Sequence, residues 1–420
     1  MSSAASPAAL SVTTGATVPQ RPTRVAIALF LGTLSWAIPF QASLLVLVPA
    51  RVADLTPTDK VGTFAAVSAV AATLGLLANV LFGALSDRTR TRFGGRTPWI
   101  VGGAVGSAVL LQLVPRASSV PLLMIVFAVA VAAQNATMAS LTALIPDRVA
   151  VGGRARVSAT IGIGVLVGTS VGAAAAAGFT SNLAAGFALV AVVEVVLAIA
   201  AVIVAPEPAN KNQPRTAFSV GRLLHSMAPP RGVADFYWAL WGRLLLVLGY
   251  FLIQTFQLYI FTDYVHLDEA AAAKVIAMNA LIFLAAAIVG SLIAGPLSDR
   301  LHRRKIFVIV ASILAALSAV PPLLSATVAG MVGFALIGGV AFGCYYATDT
   351  ALVTELLPDD QTRAKDLAIL NAANAGGQIL APVAAGGIIA LGLGFPPLFL
   401  VSIVACIAGA GLIVPIKRVP

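Results

Sequence analysis

The sequence predicts an all-helical integral membrane protein with twelve transmembrane helices in two pseudo-symmetric six-helix bundles. Three observations predict it. Hydrophobic residues fill 59% of the 420 positions and charged residues only 10%, with a mean hydropathy of +0.98, far from the roughly half-apolar, quarter-charged usage of soluble domains. The apolar positions form twelve long runs without two-residue alternation, so they read as helices, which satisfy their own backbone groups, rather than as barrel strands. Finally, two short motifs recur in one register: GALSDR from Gly83 and GPLSDR from Gly295 are offset by 212 residues, as are LIPD from Leu144 and LLPD from Leu356. A duplicated unit of half the chain requires that common offset.

The spans run approximately over 25–50, 61–86, 98–115, 120–143, 157–179, 183–205, 238–262, 270–297, 306–325, 328–353, 367–391 and 395–416. Residues 1–24 form a Ser-, Thr-, Ala- and Pro-rich stretch that reads as a disordered cytoplasmic tail. The run after Arg24 is too long for a signal-peptide core and is taken as an uncleaved first span. The N-terminal bundle occupies 25–205 and the C-terminal bundle 238–416, with residues 417–420 as a cytoplasmic end. Between the bundles, 206–237 form a cytoplasmic linker in which Pro206, Pro208, Pro214, Pro229 and Pro230 break any extended helix. Each bundle has an even number of spans, so both begin on the same side and the repeats are parallel. Small residues crowd span five, IGIGVLVGTSVGAAAAAG from Ile161 to Gly178, where they permit close helix contact.

The net charge of +10 raises the question of a polyanionic partner, and the placement of the basic residues answers it. With the N-terminus inside, 21 of the 26 Lys and Arg fall in tails and cytoplasmic loops, Arg51, Lys60, Arg116 and Lys274 fall outside, and Arg243 lies within a span. This is the positive-inside distribution, which sets orientation in the lipid bilayer and leaves no basic patch for nucleic acid. Cys344 and Cys406 both sit inside apolar runs, where they pack as small hydrophobes. His225, His266 and His302 have no acid or cysteine at ligand spacing, and no Gly-Lys-Ser/Thr phosphate loop is present. Metal binding, nucleophilic catalysis and ATP hydrolysis therefore lack residues, no cofactor is implied, and the chain does not read as an enzyme.

The two repeated loops carry paired charges. GALSDRTRTRFGGRTPWI joins span two to span three with Asp87, Arg88, Arg90, Arg92 and Arg96, and GPLSDRLHRRKIF joins span eight to span nine with Asp299, Arg300, Arg303, Arg304 and Lys305. Gly83 and Gly295, one turn before each helix end, would allow a neighbouring helix to approach, and a carboxylate there would sit against a positive helix N-terminus. The paired loop resembles the signature of the major facilitator superfamily of secondary transporters, over nearly the whole chain. The family usually has a Gly two residues after the Asp-Arg pair, where this sequence has Arg90 and His302.

The resemblance implies that Gly83, Asp87, Arg88, Arg92 and Arg96 form a cytoplasmic gate around span eleven in the outward-open state, with Gly295, Asp299, Arg300 and Arg304 doing the same against span five. More narrowly, SDRTRTRFG followed by Arg96 and Pro98, and YYATDTALVTELLPDDQTRAKDLAILNAAN, are similar to sugar-cation symporters of the glycoside-pentoside-hexuronide and sucrose-transporter-like branches. That similarity implies a bacterial plasma membrane, a sugar solute and a coupling proton, or sodium in its place. The glycine-proline motif of drug-proton antiporters is poorly matched in span five, which carries Gly162, Gly164, Gly168 and Gly172 without Pro.

Ionisable groups inside spans are rare and mark a pathway or relay by default. Glu194, Arg243 and Asp349 are the three candidates. Arg243 lies eight residues beyond Asp235 and Asp349 eight before Leu357, so both sit about 12 Å inside their loops, at matching depth. A proton arriving at Asp349 would release Arg243 and change which state is favoured. Glu194, in VAVVEVVLA, has no partner at its depth in the sequence and reads as a relay position.

On span seven Arg243, Tyr250, Gln254 and Gln257 follow intervals of 7, 4 and 3, which place them on one helix face. Span eleven offers Asn371, Asn374 and Gln378, and span ten Tyr345 and Tyr346. The superfamily resemblance implies that spans one, four, seven and ten line the cavity, which adds Trp36 and Gln41 in span one with Gln134 and Asn135 in span four. Amides donate and accept while rings stack on C–H faces, as a polyhydroxylated ligand requires. The expectation is a monomeric, proton-coupled symporter of a sugar or glycoside working by alternating access, with an exporter of drugs or metabolites as the alternative.

Overall fold

The computed structural model describes residues 22–211, 233–356 and 363–417. Among the described residues there is no strand, and twelve helices are long and apolar enough to cross a membrane. Their large outward side chains, such as Leu77, Ile203, Leu292 and Val404, are exposed apolar groups, as helices facing lipid require.

Most spans are simple helices: span two is Lys60–Arg88, span three Thr97–Leu111, span four Val120–Arg148, span five Val151–Ala176 and span six Leu183–Val204. In the second half, span eight is Glu269–Leu301, span nine Arg304–Ser318, span ten Val328–Leu356, span eleven Arg363–Ala390 and span twelve Pro396–Ile413. Span nine breaks at Ala319 and resumes as Val320–Leu324, and spans one and seven each carry a π-helical turn. Span one begins as Pro22–Ala42, passes through a π-helical turn at Ser43–Leu47 and ends as Val48–Leu55. Span seven begins as Ala234–Gln254, breaks at Thr255 and Phe256, and resumes as Gln257–Tyr259 before its own π turn at Ile260–Tyr264. The sequence predicted one unbroken helix to 262.

The packing repeats with the duplication. Span one lies against spans five and six, and span seven against eleven and twelve; span four packs on two and three as ten packs on eight and nine; three meets six as nine meets twelve. The halves join reciprocally, two against eleven and eight against five. Small residues allow the close approaches. A Cβ on Gly168 of span five would stand 2.6 Å from the Ala37 Cβ, and one on Gly249 of span seven 2.6 Å from the Cys406 Sγ. The Ser402 hydroxyl uses the second approach to donate to the Gly249 carbonyl at 2.6 Å.

Two faces follow from this arrangement: a loop face, carrying Asp87 and Asp299 at the ends of spans two and eight, and the opposite face. The opposite face is where specific contacts tie the halves together. Lys60 pairs with Asp263 at 2.7 Å, the Tyr259 hydroxyl donates to the Pro49 carbonyl at 2.9 Å, and Phe64 packs edge-on against Phe256 and Tyr259.

Candidate functional site

Between the halves lies a cavity of about 110 Å³, below the roughly 300–1,000 Å³ of drug-sized sites and so scaled to a small solute. Its polar groups come from both halves: Trp36 and Gln41 of span one and Thr169 and Ser170 of span five on one side, Tyr250, Gln254 and Gln257 of span seven, Asn279 of span eight, Tyr346 of span ten and Gln378 of span eleven on the other. The break in span seven falls between the two glutamines, and the Gln257 amide nitrogen donates to the Gln254 oxygen at 2.7 Å. Discontinuous helices of this kind place backbone and amide groups at a site without a clash. Aromatic rings fix the walls. Trp36 stacks on Phe40 with centroids 5.1 Å apart, and Tyr250 is held against Phe334 at 5.1 Å and Phe342 at 4.3 Å.

Several residues that the sequence grouped with these lie elsewhere. Gln134 of span four is buried within the first half instead, near Glu194, which accepts from the Ser107 hydroxyl at 3.1 Å. Glu194 is 1% exposed, so its partners come from spans three and four and were invisible as a depth match along the chain. Asn135 accepts from the Asn79 amide at 3.3 Å and donates to the Val131 carbonyl at 2.9 Å. Span four contributes nothing to the described cavity wall, while spans five, eight and eleven do. Thr169, Ser170 and Asn279 were missed; the only signal was a lone amide in the apolar run VIAMNALIF. The side chain of Asn371 lies outside the described residues.

Arg243 and Asp349 form a buried ion pair, 7% and 5% exposed. The Arg243 Nε also donates to the Tyr345 hydroxyl at 2.8 Å, and that hydroxyl donates to the Asn374 Oδ1 at 3.3 Å. Spans seven, ten and eleven are thereby tied through one charge-assisted network. The pair does not line the cavity. Arg243 lies seven residues before Tyr250, about 10 Å along the helix, and Asp349 is three residues past Tyr346, about one turn. The charged site and the polar cavity are thus separate, joined by spans seven and ten.

The two loops are built differently. In the first, Arg96 is 8% exposed; it pairs with Asp87 at 2.5 Å and Asp147 at 3.0 Å, and donates to the Ser86 hydroxyl at 2.6 Å. Glu207, just beyond span six, accepts from the backbone N–H groups of Arg96 and Thr97 at 2.8 and 2.7 Å, the position where a helix N-terminus favours negative charge. Asn210 bonds Thr89 and Thr91, and Arg148 donates to the Ala205 carbonyl at 2.9 Å. Arg92 stands over the Phe93 ring, 4.6 Å from its centroid, and Arg88 closes span two.

In the second loop, Arg304 reaches Asp299 at 3.2 Å across an exposed surface, Arg300 lies in the last turn of span eight, and the turn is made by His302 at φ 52. That left-handed cap is where Gly is usually favoured. Arg90, its counterpart, has no positive φ; the first loop turns instead at Gly94, φ 90. A Cβ on Gly83 would meet nothing within 4 Å and one on Gly295 only the Ala347 Cβ, at 3.8 Å, so neither glycine is required here for a close helix approach. Asp87 and Asp299 both pair inside their own halves.

Among the described residues no group of His, Cys, Asp or Glu is placed to hold a metal ion. No curated protein sequence matches the chain. Among solved structures it is similar to a bacterial homologue of the human lysosomal transporter Spinster in an inward-facing, unoccupied conformation, with 14% identity and TM-score 0.67 over 94% of this chain and 95% of that one. It is also similar to a point mutant of the nucleoside transporter NupG, with 14% identity and TM-score 0.69 over 94% and 100% of the two chains. At those identities the likeness speaks for the fold. The family is carried by the sequence: the profile of MFS/sugar transport proteins matches residues 58–396, and the chain therefore belongs to that family, as an integral membrane transporter of the major facilitator fold and not an enzyme.

Proposed function

We propose that the protein is a proton-coupled symporter of a sugar or glycoside, working as a monomer in a bacterial plasma membrane with both termini cytoplasmic. The observation that carries the solute class is the cavity wall, amides and aromatic rings drawn from both halves around a small space. The positive-inside distribution supports a cytoplasmic loop face. The ties across the opposite face then make this conformation one that is closed to the outside. The rocking units are 25–205 and 238–416, joined by the 206–237 linker.

Coupling rests on the separation of the two sites. The Arg243–Asp349 pair holds spans seven and ten together on the cytoplasmic side of the cavity. Protonating Asp349 removes the charge that Arg243 faces, and the loosened helices carry Tyr250 and Tyr346 with them, so proton occupancy biases the geometry of the solute site. In the outward-open state the Asp87 and Asp299 loops latch across the halves, exchanging the partners that they hold here. Glu194, enclosed by Ser107 and Gln134, supports a second relay position less directly, because nothing links it to the cavity.

The test is uptake into proteoliposomes under an inward proton gradient, using labelled hexoses and disaccharides, with uridine alongside because NupG is a nucleoside transporter. Accumulation of a sugar that collapses with an uncoupler supports the proposal. Accumulation driven by sodium alone replaces the coupling ion, uridine in place of sugars replaces the solute, and export of dye-like compounds from inverted vesicles with no sugar movement overturns symport.

A further inference from the structure

Tyr345 stands between the charged network and the cavity and touches both. It is 2% exposed, and its hydroxyl accepts from the Arg243 Nε at 2.8 Å and donates to the Asn374 Oδ1 at 3.3 Å. The sequence grouped it with the solute ligands, yet it does not line the described cavity; its ring backs residues that do. Phe342, three residues earlier and so on the same helix face, packs edge-on to it with centroids 6.0 Å apart, and the Tyr346 ring lies at 5.7 Å. Both line the cavity. Phe342 in turn meets Tyr250, a wall residue of span seven, at 4.3 Å. Centroid separations of this size are direct ring contact, so an unbroken series of contacts runs from Arg243 through Tyr345 to the wall.

A path is needed because the ion pair itself is set back from the wall. Among the described residues the titratable groups that face Asp349 are Arg243 of span seven and Tyr345 and Tyr346 of its own span, and span eleven adds the Asn374 amide through Tyr345. When Asp349 takes a proton, the guanidinium loses its counter-charge, and a buried charge without one is costly. Arg243 must then find other dipoles, and the Tyr345 hydroxyl either follows its donor or gives it up. In both cases a ring held by two hydrogen bonds is re-seated against Phe342 and Tyr346. Close-packed rings cannot absorb that change in place, so it is handed on to Tyr250. A ring without the hydroxyl would fill the same space and feel nothing of the pair.

We propose that Tyr345 is a positioning residue: anchored by Asn374, its hydroxyl senses whether Arg243 faces a charged or a neutral Asp349, and its ring sets Phe342, Tyr346 and through them Tyr250 at the solute cavity. The inference rests on the proton-coupling reading and names the side chain that connects its two sites. Removing the hydroxyl should therefore uncouple the sites while leaving each of them built.

The test is a double-mutant cycle read by fluorine NMR on the purified full-length protein, with its six tyrosines replaced by meta-fluorotyrosine and the Tyr250 signal identified by its loss in Tyr250→Phe. Asp349→Asn, the neutral mimic of the protonated acid, is expected to move the Tyr250 signal, and in a Tyr345→Phe background that displacement should fall to less than about half. A tyrosine that only fills space would leave the displacement as it was. Equal displacement in both backgrounds, or none in the native one, overturns the proposal. Asn374→Leu, which removes only the anchor, should reduce the displacement by a smaller amount; it decides the matter if Tyr345→Phe does not fold, and a displacement equal to the native one then overturns the proposal. In proteoliposomes Tyr345→Phe should lower gradient-driven accumulation of labelled glucose, galactose or mannose about fivefold or more, the lower end of the usual coupling between two sites, with exchange at equal pH retained. Transport separates the two readings. If Asp349→Asn still accumulates hexose, the coupling reading falls and this proposal with it, whereas lost accumulation with a Tyr250 displacement indifferent to Tyr345 removes the proposal alone.

Discussion

The loop after span two and its repeat after span eight share a hexapeptide pattern but not an environment. In the first half Arg96 is sunk among Asp87, Asp147 and Ser86, and Glu207 staples the start of the linker onto the N-terminus of span three. In the second, Asp299 and Arg304 meet on an exposed surface and a left-handed histidine closes the turn. Inside the membrane the emphasis reverses. The first half holds a lone acid, Glu194, wrapped by a hydroxyl and an amide, whereas the second holds the full ion pair of Arg243 and Asp349. Duplication kept the positions of the helices and let the chemistry diverge: the first half is fastened at its loop, and the second carries a buried pair of opposite charges.

The largest effect should come from breaking the second half's charge pair. Asp349→Asn is expected to abolish gradient-driven accumulation while sparing solute exchange, measured in one proteoliposome preparation; unchanged accumulation would move coupling away from this residue. Arg243→Ala leaves a buried acid unpaired and should cost about 3–5 kcal/mol of stability, read as a large fall in melting temperature. Next, Arg96→Ala strips two carboxylates and a hydroxyl of their shared partner and should cost about 1–3 kcal/mol, discounted because both acids are half-exposed. Glu207→Gln removes the charge at the span-three N-terminus and should cost about 0.3–1 kcal/mol. Smallest is Asp299→Asn, whose exposed pair is worth about 0–1 kcal/mol. An Asp299→Asn loss as large as that of Arg96→Ala would erase the contrast between the loops.

Much of the fold was legible because bilayer-length runs and a 212-residue repeat leave little freedom. Span two, predicted over 61–86, is Lys60–Arg88. Span seven was not legible: IQTFQ has neither Gly nor Pro, and at its break Phe256 and Tyr259 pack against Phe64 of the other half, a tertiary contact with no local signature. In the candidate site, helical spacing brought Tyr250, Gln254 and Gln257 to one wall. The same spacing could not say that Gln134 would lie near Glu194, sixty residues away, nor that Asn279 would line the cavity while also donating to the Met331 carbonyl of span ten. Polar residues in a span declare that they have a partner, and only the fold says which.

The central claim is that the two bundles rock about the cavity and that the face opposite the loops opens in the other state. Spin labels on Thr58→Cys and Ala270→Cys, one at the opposite face of each half, report that gap by electron–electron double resonance; both native cysteines, Cys344 and Cys406, are buried. In reconstituted protein the account predicts two distances, the shorter matching this closed face, with the longer one gaining population when a proton gradient or a transported sugar is added. A single distance, unmoved by either, would contradict it.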